Sequence, residues 1–418
     1  MSAIVRVFNR LLAPLCLLLI ATLAASAGAA GGGWVIERED RGDSPLLKDR
    51  KAIAQSPEAR ERQVLAAAYT RALQEEQAKI REHWPEPEVT SPTRWVVYAD
   101  DYQVKRVVDF EHNQVEVSMD GMHQGGRLDF AAMSQAVSRH LQQTLGTSIQ
   151  DALNQDPLQQ ALAAAHTEHN PAAVDAGPSQ ALVLSELFDN RKPSQRQLRQ
   201  VTAQLMRKAA IRYQAVNASI AVPVNTGRKL TYVVPLPDHR LRRKVQEYQP
   251  EVKRNAERFA LSADVMLAII HTESHFNPLA RSHIPAFGLM QIVPSTAGRD
   301  ATRKLFNKAS LLSPKYLYDP GKNIEVGAAY LSVLYYDYLK DIKNPESRLY
   351  YTLAAYNAGA SSVARAFVAR PSFTDAVAVI NRMTPQQVLE RLIKQAPQRE
   401  TRQYVQKVLK RRAHYANL

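Results

Sequence analysis

Glu273 is the residue best placed to do chemistry, because it is a carboxylate set in an apolar stripe. Residues 261–276 read LSADVMLAIIHTESHF, and Val265, Met266, Ile269, Ile270 and Phe276 recur there at helical spacing. Glu273 falls three residues after Ile270, four after Ile269 and seven after Met266, within that stripe. A carboxyl in such a place loses hydration, which disfavours its charged form and raises its pKa. One that stays protonated near neutral pH can act as a general acid. The competing reading is a helix-end Glu leaning out to solvent, and on this segment alone the two stand level.

Other chemistries are excluded by spacing. His271 and His275 lie four apart and share a helix face, but Glu273 is two along from His271 and so rotated by about 200°. The zinc-protease helix needs its Glu directly after the first His. No Gly-x-Ser-x-Gly elbow and no phosphate-binding loop occurs. Just downstream of Glu273, Asn277-Pro278 ends the helix, since Pro278 disfavours helical backbone in its predecessor. Ser282 and Gly288-Leu289-Met290-Gln291-Ile292 follow, and further on Ala354-Ala355-Tyr356-Asn357-Ala358-Gly359. Each has an ordinary structural explanation: Met290 as core filler, Asn357 and Gly359 as a helix cap, Tyr356 as a half-buried aromatic. Asp300, Asp319 and Glu325 are candidates for a second acid, with capping or surface roles as the competing reading.

The elements that must position these residues divide the chain near residues 235–239. Beyond that point helices are expected at 241–259, 262–276, 294–306, 323–339, 348–357, 360–370, 373–381, 385–394 and 400–412. Before it the pattern is mixed. A long charged helix is expected at 56–83, ended by Pro85, Pro87 and Pro92, then strands at 95–98, 103–110 and 114–119 with a turn at His112-Asn113. Helices are expected at 130–145 and 195–213, with an Ala-, Gln- and Pro-rich loop or insert at 155–180. A hairpin pairs 220–224 with 230–234 across Asn225-Thr226-Gly227. The sequence contains no internal repeat.

With 418 residues, two domains are the natural expectation. Arg6 and Arg10, an apolar run from 11 to 23 and Ala25-Ser26-Ala27 form an export signal, so 1–27 is read as a signal peptide. The alternative is an uncleaved membrane anchor. The one cysteine, Cys16, lies inside the signal. A mature chain without it has no disulfide, thiolate or cysteine–metal chemistry. Leu15 before Cys16 and the apolar run after it argue against lipid acylation. Of the net charge of +14, residues 241–418 carry +13, from 27 Lys/Arg against 14 Asp/Glu. A basic domain in an exported protein suits an anionic polymer or a membrane surface, whereas nucleic acid is not expected because no recognition module appears.

Taken together, E-S-H-F-N-P at 273–278, Ser282, G-L-M-Q-I at 288–292, A-A-Y-N-A-G at 354–359 and E-T-R-Q-Y-V at 400–405 resemble the lytic transglycosylases with the soluble-lytic-transglycosylase domain. The flanking D-P-x-x-N-I-x-x-G-x-x-Y-L at 319–331 also fits, and the specific likeness covers about residues 240–418. The chain is read as α+β, with the patterning giving a mixed α/β N-terminal domain at 28–240 and the resemblance implying an all-α, goose-lysozyme-like catalytic domain at 241–418. The resemblance also implies cleavage of peptidoglycan glycan strands without water and without a cofactor, giving a 1,6-anhydro end. Glu273 matches the single catalytic glutamate, and Tyr356 the tyrosine whose hydroxyl sits near it. Ser282 and Gln291 match residues that bond the sugar or its N-acetyl group, Met290 an apolar cleft wall, Asn357 a neighbour of Tyr356, and Tyr404 an aromatic at the far end of the groove. His283 to Phe287 are bulkier than in many relatives. A periplasmic enzyme follows, with membrane or cell-wall protein partners expected through the N-terminal domain. The alternatives are a lysozyme-type hydrolase and a non-catalytic wall-binding scaffold.

Overall fold

The computed structural model describes residues 57–121, 123–124, 127–169, 174, 177, 179–189, 192–213, 229–369 and 372–416. The export signal with Cys16, the first strand of the expected hairpin and its turn lie outside the described residues.

The N-terminal half is built on an antiparallel sheet. Helix α1 (Pro57–Arg81) leads into β1 (Arg94–Ala99), β2 (Val104–Asp109) and β3 (Gln114–Asp120). These are followed by α2 (Phe130–Gly146), α3 (Ile149–Asn154), α4 (Pro157–His169), α5 (Gln195–Met206), β4 (Ala210–Tyr213) and β5 (Lys229–Pro235). The strand order is β1-β2-β3-β5-β4, so the last strand inserts beside β3, with Val117 opposite Tyr232. Val107, Val115, Val117 and Val234 are fully buried, Val107 on one face of the sheet and the other three on the opposite face. Met133, Val137 and Leu141 on α2 bury the helix stripe of this core.

Two expectations for this half are corrected. The 155–180 segment is not all loop. Asp156 accepts from Gln159 N at 3.0 Å, Pro157 opens the helix, and α4 packs on α1. The 195–213 segment is not one helix. It stops at Met206 with turn bonds from Lys208 and Ala209, and residues 210–213 become the sheet edge beside β5. In both places a partner distant in sequence decides the local structure.

The helical half begins at α6 (Arg240–Arg258) and continues with α7 (Ala263–Ser274), α8 (Arg299–Phe306), α9 (Pro314–Leu317), α10 (Pro320–Ser332) and α11 (Pro345–Ala358). It ends with α12 (Ala360–Ala364), α13 (Phe373–Ile380), α14 (Pro385–Gln395) and α15 (Arg399–Tyr415). Helix α7 is central, with Met266, Ile269 and Ile270 wholly buried between α6 and α15. A buried ion cluster pins α6 to the sheet. Glu186 pairs with Arg240 at 2.9 Å and Lys244 at 3.0 Å, while Arg240 also donates to Asn113 Oδ1 and the Phe110 carbonyl. Burial alone would raise the Glu186 pKa, but the two cations outweigh it and hold the carboxyl ionised. Among the described residues no helix is long and apolar enough to cross a membrane.

Candidate active site

Glu273 stands one residue from the end of α7, half-buried. The helix ends because His275 (φ 50°) and Phe276 (φ 61°) both take left-handed backbone, an uncommon conformation for side chains of this size. Arg411 on α15 donates to the His271 carbonyl at 2.9 Å and to His275 Nε2 at 2.8 Å, and the Tyr415 hydroxyl meets His271 Nδ1 at 2.8 Å. Burial, then the Arg411 charge, pushes the His271 pKa down to about 3 and that of His275 to about 4. The histidine pair is therefore neutral at pH 7 and engaged with an arginine.

The loop at 288–292 packs beside the carboxyl through an interlock with α10. Asn323 is fully buried; its Oδ1 accepts from Met290 N at 2.8 Å, and its Nδ2 donates to the Phe287 and Leu317 carbonyls. Gly288 (φ 74°) must be glycine, since a Cβ would sit 2.3 Å from the Leu317 oxygen and 2.4 Å from Asn323 Nδ2. Met290 is wholly buried against Gly327, where a Cβ would lie 2.2 Å from its Sδ. It braces the loop from beneath and presents no surface of its own. Ser274 Oγ donates to the Leu289 carbonyl at 2.8 Å, tying the loop back to α7.

Two tyrosines reach the carboxyl. Tyr356 on α11 donates to the Met290 carbonyl at 2.7 Å, and the Glu273 charge acts on its phenol. Tyr404, expected at the far end of the groove, has its hydroxyl beside Glu273 instead. That hydroxyl is buried and closes no hydrogen bond of normal geometry. Burial holds both phenols well above their ordinary pKa, so they are neutral donors. Burial likewise raises the Glu273 pKa to about 8; the Tyr404 hydroxyl pulls it back, and the Glu400 charge pushes it up. Glu273 is thus predominantly protonated at pH 7.

The remaining residues divide into near and far. Gln291 (φ 48°) donates Nε2 to the Gly288 carbonyl at 3.0 Å, while its buried Oε1 has no partner among the described residues. Asn357 joins α11 to α15, accepting from Thr401 Oγ1 at 2.7 Å and donating to Glu400 at 3.4 Å. The Ser282 hydroxyl turns to the Ile284 carbonyl within its own loop. The candidate second acids serve elsewhere: Asp319 caps α10, Glu325 pairs with Arg258, and Asp300 pairs with Arg303. The acid that does act on Glu273 is Glu400, which lay inside a recognised motif without a role. Asn323 lies in the 319–331 motif, but its type and position there assign it no role. Only its three bonds reveal why Gly288 and Gly327 lie where they do.

This carboxyl, loop and tyrosine arrangement falls within a known domain class. Residues 251–378 match the family model described as the Transglycosylase SLT domain. The chain belongs to the lytic murein transglycosylases. It is 32% identical over 342 residues to membrane-bound lytic murein transglycosylase C of Pectobacterium atrosepticum, covering 78% of this chain and 84% of that protein. It is 43% identical over 173 residues to the protein of the same name from Yersinia enterocolitica, covering 41% of this chain and 47% of that one. Among solved structures, the lytic transglycosylase Slt of Pseudomonas aeruginosa aligns at 31% identity and a TM-score of 0.32, over 42% of this chain and 24% of that one.

Proposed function

We propose that this chain is an exported peptidoglycan lytic transglycosylase. It cleaves the β-1,4 bond between N-acetylmuramic acid and N-acetylglucosamine and leaves a 1,6-anhydro end on the muramoyl product. The observation that carries this reading is a carboxyl at the end of α7 set beside the Tyr404 hydroxyl and the 288–292 loop, where burial pushes its pKa up to about 8. In the proposed reaction Glu273 gives its proton to the glycosidic oxygen as the bond to C1 breaks. The resulting carboxylate takes the proton of the muramoyl C6 hydroxyl as that oxygen bonds to C1. The proton count closes on the enzyme, so no second carboxylate is required.

The neighbours suit that sequence. The Tyr404 hydroxyl beside Glu273 can donate to the carboxylate when it forms, and Tyr356 fixes the loop through the Met290 carbonyl. The orphan Gln291 Oε1 is an acceptor for an N-acetyl N–H. In this proposal Ser282 and Asn357 are further sugar contacts, and Met290 supports the 288–292 loop from beneath. The proposal assigns catalysis to 241–418, a periplasmic location to the mature protein, and partner contacts with membrane or wall proteins to the N-terminal region.

Digestion of purified sacculi followed by mass spectrometry tests the reaction. Anhydro-muropeptides are expected; products one water heavier would identify a hydrolase. Glu273→Gln keeps the shape but cannot shuttle a proton, and the rate should fall about 100- to 10,000-fold. Equal, negligible release by wild type and variant would instead point to a wall-binding scaffold.

A further inference from the structure

Three side-chain contacts reach from the sheet-bearing half onto one short stretch of the helical half, residues 277–282. Asn277 Nδ2 donates to the Pro92 carbonyl at 3.1 Å, Arg281 pairs with Asp156 at 2.9 Å, and the Tyr69 hydroxyl donates to the Ser282 carbonyl at 3.1 Å. They come from three separate places: the segment before β1, the residue preceding α4, and α1. Asn277 and Arg281 are almost wholly buried, so neither is a solvated surface tie. Asp156 also accepts from the first turn of α4, which couples that helix to the guanidinium.

The stretch they grip leaves α7 just after Glu273 and carries the 288–292 loop on its backbone. Gly288 N donates to the Ala280 carbonyl at 2.8 Å, Ser282 N to Ala286 at 3.2 Å, and Phe287 bridges both Arg281 and Ile292. Displacing 280–282 therefore displaces the loop that holds Gln291. Glu273 is held independently, by the packing of α7.

We infer that Tyr69 and Asp156 are positioning residues for the reaction: acting through the Ser282 carbonyl and Arg281, they set the Gly288–Gln291 loop against the bound glycan. The inference rests on the proposed function, because the loop must meet a sugar. Loosening the grip acts on substrate binding and leaves the proton transfer alone.

The test uses the full chain with Tyr69→Phe, Asp156→Asn and the double variant, assayed on soluble glycan-strand fragments of defined length. Tyr69→Phe removes one hydroxyl and no charge, so the fold is retained. Its KM should rise about fivefold with kcat nearly unchanged, the effect of one ordinary hydrogen bond. Asp156→Asn should raise KM further, and the double variant less than the product of the two, since both act on one stretch. The high-pH limb of kcat should stay at its wild-type position. A lower Tm with wild-type KM and kcat would overturn the inference, leaving the contacts as structural ties. So would a fall in kcat with a shifted limb, which would route them through Glu273. If Asp156→Asn does not fold, Tyr69→Phe decides alone. Failure of the proposed function looks different: the wild-type chain itself would then release products one water heavier, or no more fragment than Glu273→Gln.

Discussion

At the scale of single residues, the proton affinity of Glu273 is set by two neighbours working in opposite directions. The Tyr404 hydroxyl lowers it and the Glu400 charge raises it, on top of the dominant effect of burial. The active form as general acid is the protonated one, so kcat/KM should fall as pH rises through about 8. Tyr404→Phe should move that limb to higher pH and lower kcat by roughly 10- to 100-fold, the worth of one hydrogen bond to a charged group. Glu400→Gln should move the limb the other way, to lower pH. A pH–rate profile of each variant checks both signs. Glu273 was legible as an acid because a single helix period exposes its misfit among Met266, Ile269 and Ile270. The place of Tyr404 was not, because it depends on how α15 lies across α7, and neither helix encodes that crossing locally.

Elements carry the next layer. The 288–292 loop holds its shape because a glycine, a buried asparagine and a second glycine interlock across α10. Gly288→Ala should cost on the order of 3 kcal/mol, from left-handed strain and contact with the Leu317 carbonyl, measurable by denaturant unfolding. The α7–α15 seam has its own pH dependence. His271 and His275 are neutral in the folded state with pKa values of about 3 and 4, against 6.5 when free. Their stabilising contribution is full above pH 6.5 and lost as pH falls towards the folded values. His271→Gln should flatten the decline in Tm between pH 6.5 and 4, as calorimetry would record. Helices with an apolar period, such as α2 and α7, could be read from sequence, as could the three-stranded meander. Helix α4 could not: its Ala- and Gln-rich sequence has little period, and α1 supplies the face it rests on. Strand β4 was masked by the helix-like run before it, and only pairing with β5 makes it a strand.

For the whole molecule, charge and connectivity decide behaviour. Residues 241–418 hold nearly all of the +14 net charge. Binding to sacculi should weaken as ionic strength rises through the range where the Debye length shrinks from about 10 Å to 3 Å. Co-sedimentation across a salt series checks this, and Glu273→Gln should behave like wild type there. The mixed sheet-and-helix half followed by a helical half was foreseeable from patterning; their joint was not, because its ion cluster lies at residues 186, 240 and 244. That cluster limits how such chains can be recombined. A gene fusion that joins a foreign leader at residue 240 leaves Arg240 without its carboxylate and Lys244 with only Glu247, 3.2 Å away on the same helix. An uncompensated buried cation destabilises by about 3–5 kcal/mol. Viable chimaeras should therefore inherit the whole 186–244 stretch from one parent, or carry an acid at the equivalent of Glu186.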